Sequence, residues 1–172
     1  MRLEFARPER WMRDEVLKFR DAFTAAGEKI INGSGGLDFY PDFETWFSYH
    51  QKCQSGEIEN TFCSEIWLVR SADSSELVGI LDIRPTLTED KRHYGHLGYA
   101  VLPGRRGKGV ATAMLAWAVD TLRRAGVTNI YASVYADNGP SIKVLEKSGF
   151  LQKGMYKEED SGKEIVQYVN VC

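Results

Sequence analysis

Residues 97–119 read LGYAVLPGRRGKGVATAMLAWAV, and few folds accommodate them. An apolar, strand-like run stops at Pro103-Gly104, passes through Arg105-Arg106-Gly107-Lys108-Gly109 and leaves as a helix. In that helix Val110, Ala111, Met114, Leu115, Ala118, Val119 and Leu122 form an apolar stripe with a period of about 3.6. A helix entrance already presents unpaired N–H groups and the positive end of the macrodipole. Three cations there are unfavourable unless an anion settles among them, and glycines let such a ligand approach the backbone. A solvated basic turn is the plain alternative.

The rest of the chain sets this junction in a mixed α/β fold. RLEF opens as a short strand. Pro8 suits a first helical turn, and Trp11, Val16, Leu17, Phe19 and Phe23 give an apolar face out to Ala25. NGSGGLDFYPDF (32–43) reads as a loop, and Asp42 caps a second helix that carries Phe43, Trp46, Phe47 and His50 to about Lys52. A polar connection runs to Asn60. Residues 65–71 and 76–85 form a hairpin around SADSS, and 94–102 is a third strand. A helix over 107–125 ends at Gly126, a strand follows at 129–135, and a helix led by Pro140 ends at Gly149. FLQKGMY and EIVQYVNV close the chain as two strands. Strand 94–102, helix 107–125 and strand 129–135 make a βαβ unit, which predicts parallel pairing with a right-handed crossover.

At 172 residues the chain is expected to be one domain with its own core. A net charge of −2 provides no global field for nucleic acid or an anionic membrane, so any positive site is local. Cys53, Cys63 and Cys172 are too scattered for a disulfide framework or a metal site. The charged N-terminus does not read as a secretory signal, and no apolar run spans a membrane, so a cytoplasmic location is expected.

Two phosphate-loop readings fail at residues 102–112. A P-loop requires Ser or Thr after Gly107-Lys108, where Gly109 stands. A dinucleotide fingerprint requires Gly or Ala where Thr112 stands, and no acidic residue ends strand 129–135 for a ribose. A nucleotide-dependent transferase is disfavoured with them. A third pattern, Arg/Gln-x-x-Gly-x-Gly/Ala, is met by Arg106-Gly107-Lys108-Gly109-Val110-Ala111. Asn138-Gly139-Pro140-Ser141, followed by Glu146-Lys147-Ser148-Gly149-Phe150, matches NxxSxxxxEKxGF. With both motifs in order, the chain resembles the GNAT superfamily of N-acetyltransferases over residues 65–171, and an uncharacterised subgroup of it through residues 26–36. Residues 1–60 would then be the variable acceptor-side helices.

The resemblance implies a mostly antiparallel sheet of six or seven strands with a central parallel βαβ unit and about four flanking helices. It also implies acetyl-CoA as co-substrate and a small-molecule or peptide amine as acceptor, and homodimers are common in this superfamily. Backbone N–H groups across Arg106, Gly107, Lys108, Gly109, Val110, Ala111 and Thr112 would receive the pyrophosphate. Val101 and Leu102 would pair with the pantetheine, the Val101 N–H would polarise the thioester carbonyl, and Asn138 would contact the cofactor. His96 occupies the place of a strand glutamate that serves as base in many members, with Asp82 as the other candidate. Packing in the sheet and an ion pair to Arg84 are the respective alternatives for these two. Leu145 stands where many members carry a tyrosine that protonates the leaving thiolate, so Ser141 or Tyr135 is the substitute, or solvent serves. Asn138 and Ser141 also read as capping residues. Asp38, Tyr40, Asp42 and Trp46 would suit a cationic acceptor, although Trp46 at helical spacing also reads as core. A non-catalytic acyl-CoA-binding domain of the same fold is the alternative function.

Overall fold

The computed structural model describes residues 2–58, 64–159 and 161–171. The expected connection to Asn60 lies partly outside them, as do Cys63 and Cys172; Cys53 is buried. Strand β1 (Leu3–Ala6) is followed by α1 (Arg13–Ala25), α2 (Phe43–Ser55), β2 (Glu65–Ser71), β3 (Leu77–Ile83) and β4 (Leu97–Val101). Then come α3 (Val110–Arg124), β5 (Asn129–Tyr135), α4 (Gly139–Lys147), β6 (Leu151–Lys157) and β7 (Glu164–Val171). The strands form a four-stranded sheet, β1-β2-β3-β4, and a three-stranded sheet, β5-β7-β6, with every pairing antiparallel. Among the described residues, seven strands, four α-helices and antiparallel dominance agree with the expected class.

The central parallel pairing does not form. Between β4 and β5 the described residues make one isolated bridge, Gly95 to Ala132. The His96 N–H donates to the Tyr131 C=O at 2.7 Å, and the Tyr131 N–H donates to His96 Nδ1 at 3.0 Å. The imidazole thus takes the place of the carbonyl that a continuing ladder would offer. The strand expected over 94–102 is shorter: residues 89–94 form a 3-10 turn that ends at Gly95 with φ 80°, and β4 starts at Leu97. The strands separate beyond this point and leave a cleft.

Two hydrophobic layers hold the sheets. On one face of the first sheet, Ile66, Leu68, Ile80 and Ala100 pack under α1 and α2, against Val16, Phe19, Phe23 and Trp46. Leu81, Ile83, Leu97 and Val101 face the other way, toward α3 and the second sheet. The predicted stripe buries Val110, Met114, Leu115, Ala118 and Leu122, and each large apolar side chain contributes roughly 1.5–3 kcal/mol on burial. Trp11 departs from the reading: residues 10–12 form a 3-10 turn that turns its ring out to 70% exposure, and Met12 is buried instead.

Candidate active site

The entrances of α2, α3 and α4 use two devices. Asp42 caps α2 by accepting from the Thr45 N–H at 2.8 Å, and Asn138 caps α4 by accepting from the Ser141 N–H at 3.2 Å. At α3 the cap is Gly109, in the left-handed region with φ 79° and no side-chain cap. The helical ladder starts only with the Ala113 N–H to the Gly109 C=O, so the N–H groups before it face outward. A Cβ on Gly107 or Gly109 would meet nothing within 4 Å, so both glycines border open space. The start of α3 at Val110, later than the expected 107, leaves residues 103–109 as a turn around that space.

The cations of this turn have partners of their own. Arg106 forms a two-pronged pair with Glu28, at 2.6 and 2.9 Å, and its Nε donates to the Val101 C=O at 3.1 Å. That guanidinium is the main reason the Glu28 carboxyl titrates below its ordinary range. Arg105 pairs with Glu76, and Lys108 donates to the Gly104 C=O at 3.1 Å. The sequence argument that these charges need an incoming anion is therefore incomplete: glutamates far along the chain already answer two of them. What stays open to a ligand is the backbone.

The β4 edge supplies more backbone. The Leu102 N–H donates to the Val78 C=O at 2.9 Å, and the Arg84 N–H donates to the His96 C=O at 2.8 Å. Antiparallel alternation then sends the even-numbered residues of β4 toward β3, and the N–H groups of Leu97, Tyr99 and Val101 toward the cleft. Leu102 drops out as a backbone partner, because its C=O also accepts from the Arg105 N–H.

Two cavities meet along this edge. One, of about 520 Å³, lies between β4, the entrance of α3 and α4. Val101, Arg106, Gly107 and Gly109 line it, Val110, Ala111 and Thr112 follow on α3, and Asn138 and Ser141 reach it from α4. Lys108 and Leu102 do not. The other cavity, about 670 Å³, continues past the edge of β4. It includes Asp82, Arg84, Tyr135 and Tyr156, while Asn32, Tyr99, Asn138 and Ser141 border both cavities. Sequence reasoning missed Tyr99, Asn32 and Glu28: nothing in the local pattern marks any of the three for a function.

The expected acceptor-side group is not at the cavities. Trp46 is fully buried and donates to the Ser34 C=O at 2.9 Å, while Asp38 receives the Ser34 hydroxyl at 3.2 Å. Neither these nor Tyr40 and Asp42 line either cavity. The loop they shape reaches the larger cavity through Asn32 and Gly33, and Phe23, Glu28 and Ile30 reach the smaller one.

Asp82 and Arg84 form a buried ion pair at 3.1 Å. Burial pushes the Asp82 carboxyl up, against the pull of Arg84 and His50. Asp82 stands opposite Gly98 in the register and lines the larger cavity, whereas His96 lines neither. Burial and then the Arg84 charge lower His96 from 6.5 to about 4. With Nδ1 engaged and so low a proton affinity, His96 is a structural acceptor, which departs from the expected base.

This has a testable consequence. The unfolded ring titrates near 6.5, so its contribution to stability is complete above that pH, declines below it and is gone near pH 4. The loss amounts to about 3 kcal/mol. Urea unfolding at pH 7 and pH 4 should show the wild type losing that much more than His96→Asn, whose Oδ1 still accepts from Tyr131. Equal losses would show that the ring is not held neutral.

No helix among the described residues is long and apolar enough to cross a membrane, and no group of three or more His, Cys, Asp or Glu among them could hold a metal ion. The profile of the Acetyltransferase (GNAT) family matches residues 37–150. GCN5-related N-acetyltransferase 6, chloroplastic, of Arabidopsis thaliana is 28% identical over 85 residues, which is 48% of this chain and 30% of that protein. Among solved structures, the ribosomal-protein-S5-alanine acetyltransferase of Vibrio fischeri superposes with a TM-score of 0.72 at 17% identity, covering 99% of this chain and 93% of that one. The yncA protein of Salmonella typhimurium, solved with acetyl-CoA, gives 0.69 at 13% identity over 98% and 93%. Mutant forms of the spermidine/spermine N-acetyltransferase SpeG from Vibrio cholerae give 0.66 at 16% over 98% and 93%. With the family profile spanning most of the chain and the same fold in these acetyltransferases, the chain belongs to the GNAT family of acetyltransferases.

Proposed function

We propose that this protein transfers the acetyl group of acetyl-CoA to the primary amine of a small molecule or peptide. The observation that carries this reading is the meeting of two cavities at the open edge of β4, one bordered by the uncapped entrance of α3. Acetyl-CoA supplies an activated acetyl group on a thioester. The N–H groups of Gly107 through Thr112 bind its pyrophosphate, favoured by the α3 dipole. Val101, whose N–H points into the cleft, holds the thioester carbonyl; one such donor contributes on the order of 3 kcal/mol to the barrier. Asn138 positions the first turn of α4 beside it.

A primary amine of ordinary basicity is protonated at neutral pH and needs a proton acceptor. Asp82 takes that role from β3, opposite Gly98 on the α2-side face of the sheet, through water, and Arg84 steadies its charged form. The larger cavity holds the acceptor.

Thermal unfolding with acetyl-CoA, CoA, ATP or NAD, followed by thiol release with a panel of amines, tests the reading. A ligand at about 100 times its dissociation constant adds roughly 2.7 kcal/mol. A shift with acetyl-CoA and CoA alone, and turnover that falls roughly 10²–10⁴-fold in Asp82→Asn while the shift persists, is the expected result. A shift without thiol release from any amine would make the protein a binder. No shift, or a larger one with ATP, would refute the cofactor.

A further inference from the structure

Transfer leaves the departing sulfur with an electron pair and no proton. Leu145 is buried and carries no hydroxyl for it. The Tyr135 hydroxyl donates to Glu158 at 3.4 Å and borders only the larger cavity. Two hydroxyl side chains border both cavities, Ser141 on the first turn of α4 and Tyr99 in the middle of β4.

Their relation is unusual. The Tyr99 ring projects from the face of β4 opposite to Asp82, toward α4, and is half-buried. Its hydroxyl oxygen is sealed from solvent and approaches the Ser141 hydroxyl without completing a hydrogen bond. A buried O–H without a full partner is costly, and such groups in native proteins call for a functional explanation. Burial raises the Tyr99 pKa and the Ser141 contact lowers it, so the phenol keeps its proton at neutral pH. Ser141, half-buried like Tyr99, stands in the first turn of α4 where the two cavities meet.

We propose that Tyr99 and Ser141 form a two-hydroxyl relay that protonates the departing CoA sulfur. This rests on the acetyl-transfer reading above. As the amine nitrogen bonds to the carbonyl carbon, the C–S bond breaks and its electron pair goes to sulfur. Ser141 Oγ gives its proton to sulfur, and Tyr99 gives its own to Ser141 Oγ. The proton taken from the amine by Asp82 passes to solvent, and solvent returns one to the Tyr99 oxygen by way of the Ser141 hydroxyl, since the phenol oxygen itself is sealed. Proton acceptor and proton source thus act from opposite faces of the sheet, with the thioester at its β4 edge. Ser141 is the catalytic residue and Tyr99 the positioning residue behind it.

The relay can be read by binding alone, without an acceptor. At pH 9 the free CoA thiol, with a pKa near 8.5, is largely thiolate. Hydrogen bonding to that charge should make the wild type bind CoA about tenfold more tightly than desulfo-CoA, which lacks the sulfur. Tyr99→Phe and Ser141→Ala should each erase this preference while keeping desulfo-CoA affinity within about twofold, and the double variant should be no worse than either. Thiolate absorbance of bound CoA should move to higher pH in both variants. Equal weakening of both ligands in Tyr99→Phe would mark Tyr99 as packing only, and a wild type without the preference, or variants that retain it, would overturn the relay. A wild type that binds neither ligand would instead overturn the cofactor assignment.

Discussion

Gly109→Val abolishes acetyl-CoA binding while the protein stays folded: that is the first expected result. Gly109 has φ 79° and lines the smaller cavity, and a side chain there has only open space before it. The two methyl groups of valine would stand where the first N–H groups of α3 meet an incoming pyrophosphate. Hydrogen bonds to a charged group contribute about 1.5–3 kcal/mol each, so losing two weakens binding by roughly 10²–10⁴-fold. The left-handed backbone also disfavours a β-branched residue, at a stability cost of about 1–3 kcal/mol. Gly126→Val separates the two effects, since Gly126 has φ 87°, equally open surroundings and no place at either cavity. Calorimetric titration with acetyl-CoA should find binding intact in Gly126→Val and missing in Gly109→Val. Equal affinity in both would remove the pyrophosphate from this turn.

The second large effect concerns the glycine loop over β4. Gly33 has φ 72°, and a Cβ on it would lie 2.0 Å from the Tyr99 backbone nitrogen. In return, a Cβ on Gly98 would lie 3.0 Å from Gly33 Cα. The loop cannot yield easily. His50 Nε2 bonds with the Gly35 C=O at 2.8 Å, Trp46 holds Ser34, and the Leu37 N–H donates to the Ser34 hydroxyl at 3.1 Å. Gly33→Ala therefore has to lift a pinned segment off the strand, and about 3–5 kcal/mol of stability should be lost, or roughly 10 °C in the unfolding midpoint. Gly27→Ala, with φ 77° and nothing within 4 Å, isolates the backbone strain at about 1 kcal/mol. Similar losses in the two variants would mean that the loop does not rest on β4.

This contact shows where reading from sequence reached its limit. NGSGGLDFYPDF read as a loop because it is rich in Gly, Asp and aromatic residues. In the structure two of them, Gly33 and Gly35, are fixed by lack of space: a Cβ on Gly35 would lie 2.5 Å from His50 Nε2. The acidic and aromatic residues beside them read as an acceptor lining, yet they serve as the anchors of this loop. Trp46 illustrates the point, because helical spacing predicted its burial but not the hydrogen bond that pins Ser34. Tyr99 lies in a predicted strand, but the Ser141 hydroxyl it meets lies in another element.

What the sequence determined by itself was local and periodic. The stripe of α3, the caps at Asp42 and Asn138, the glycine stops and the turn at Gly107 and Gly109 follow from backbone preferences within a few residues. The two ordered motifs, 32 residues apart from Arg106 to Asn138, made the family legible. Only the tertiary structure decided what depends on distant partners. It paired Arg106 with Glu28, 78 positions away, and so changed what the cationic turn offers to a ligand. It placed the His96 ring under the Tyr131 N–H, where a side-chain nitrogen ends the backbone ladder and lets β4 and β5 part. Local preference fixes which residues form a strand. Whether two strands stay joined depends on every donor finding an acceptor across the gap, and that is settled only when the chain has folded.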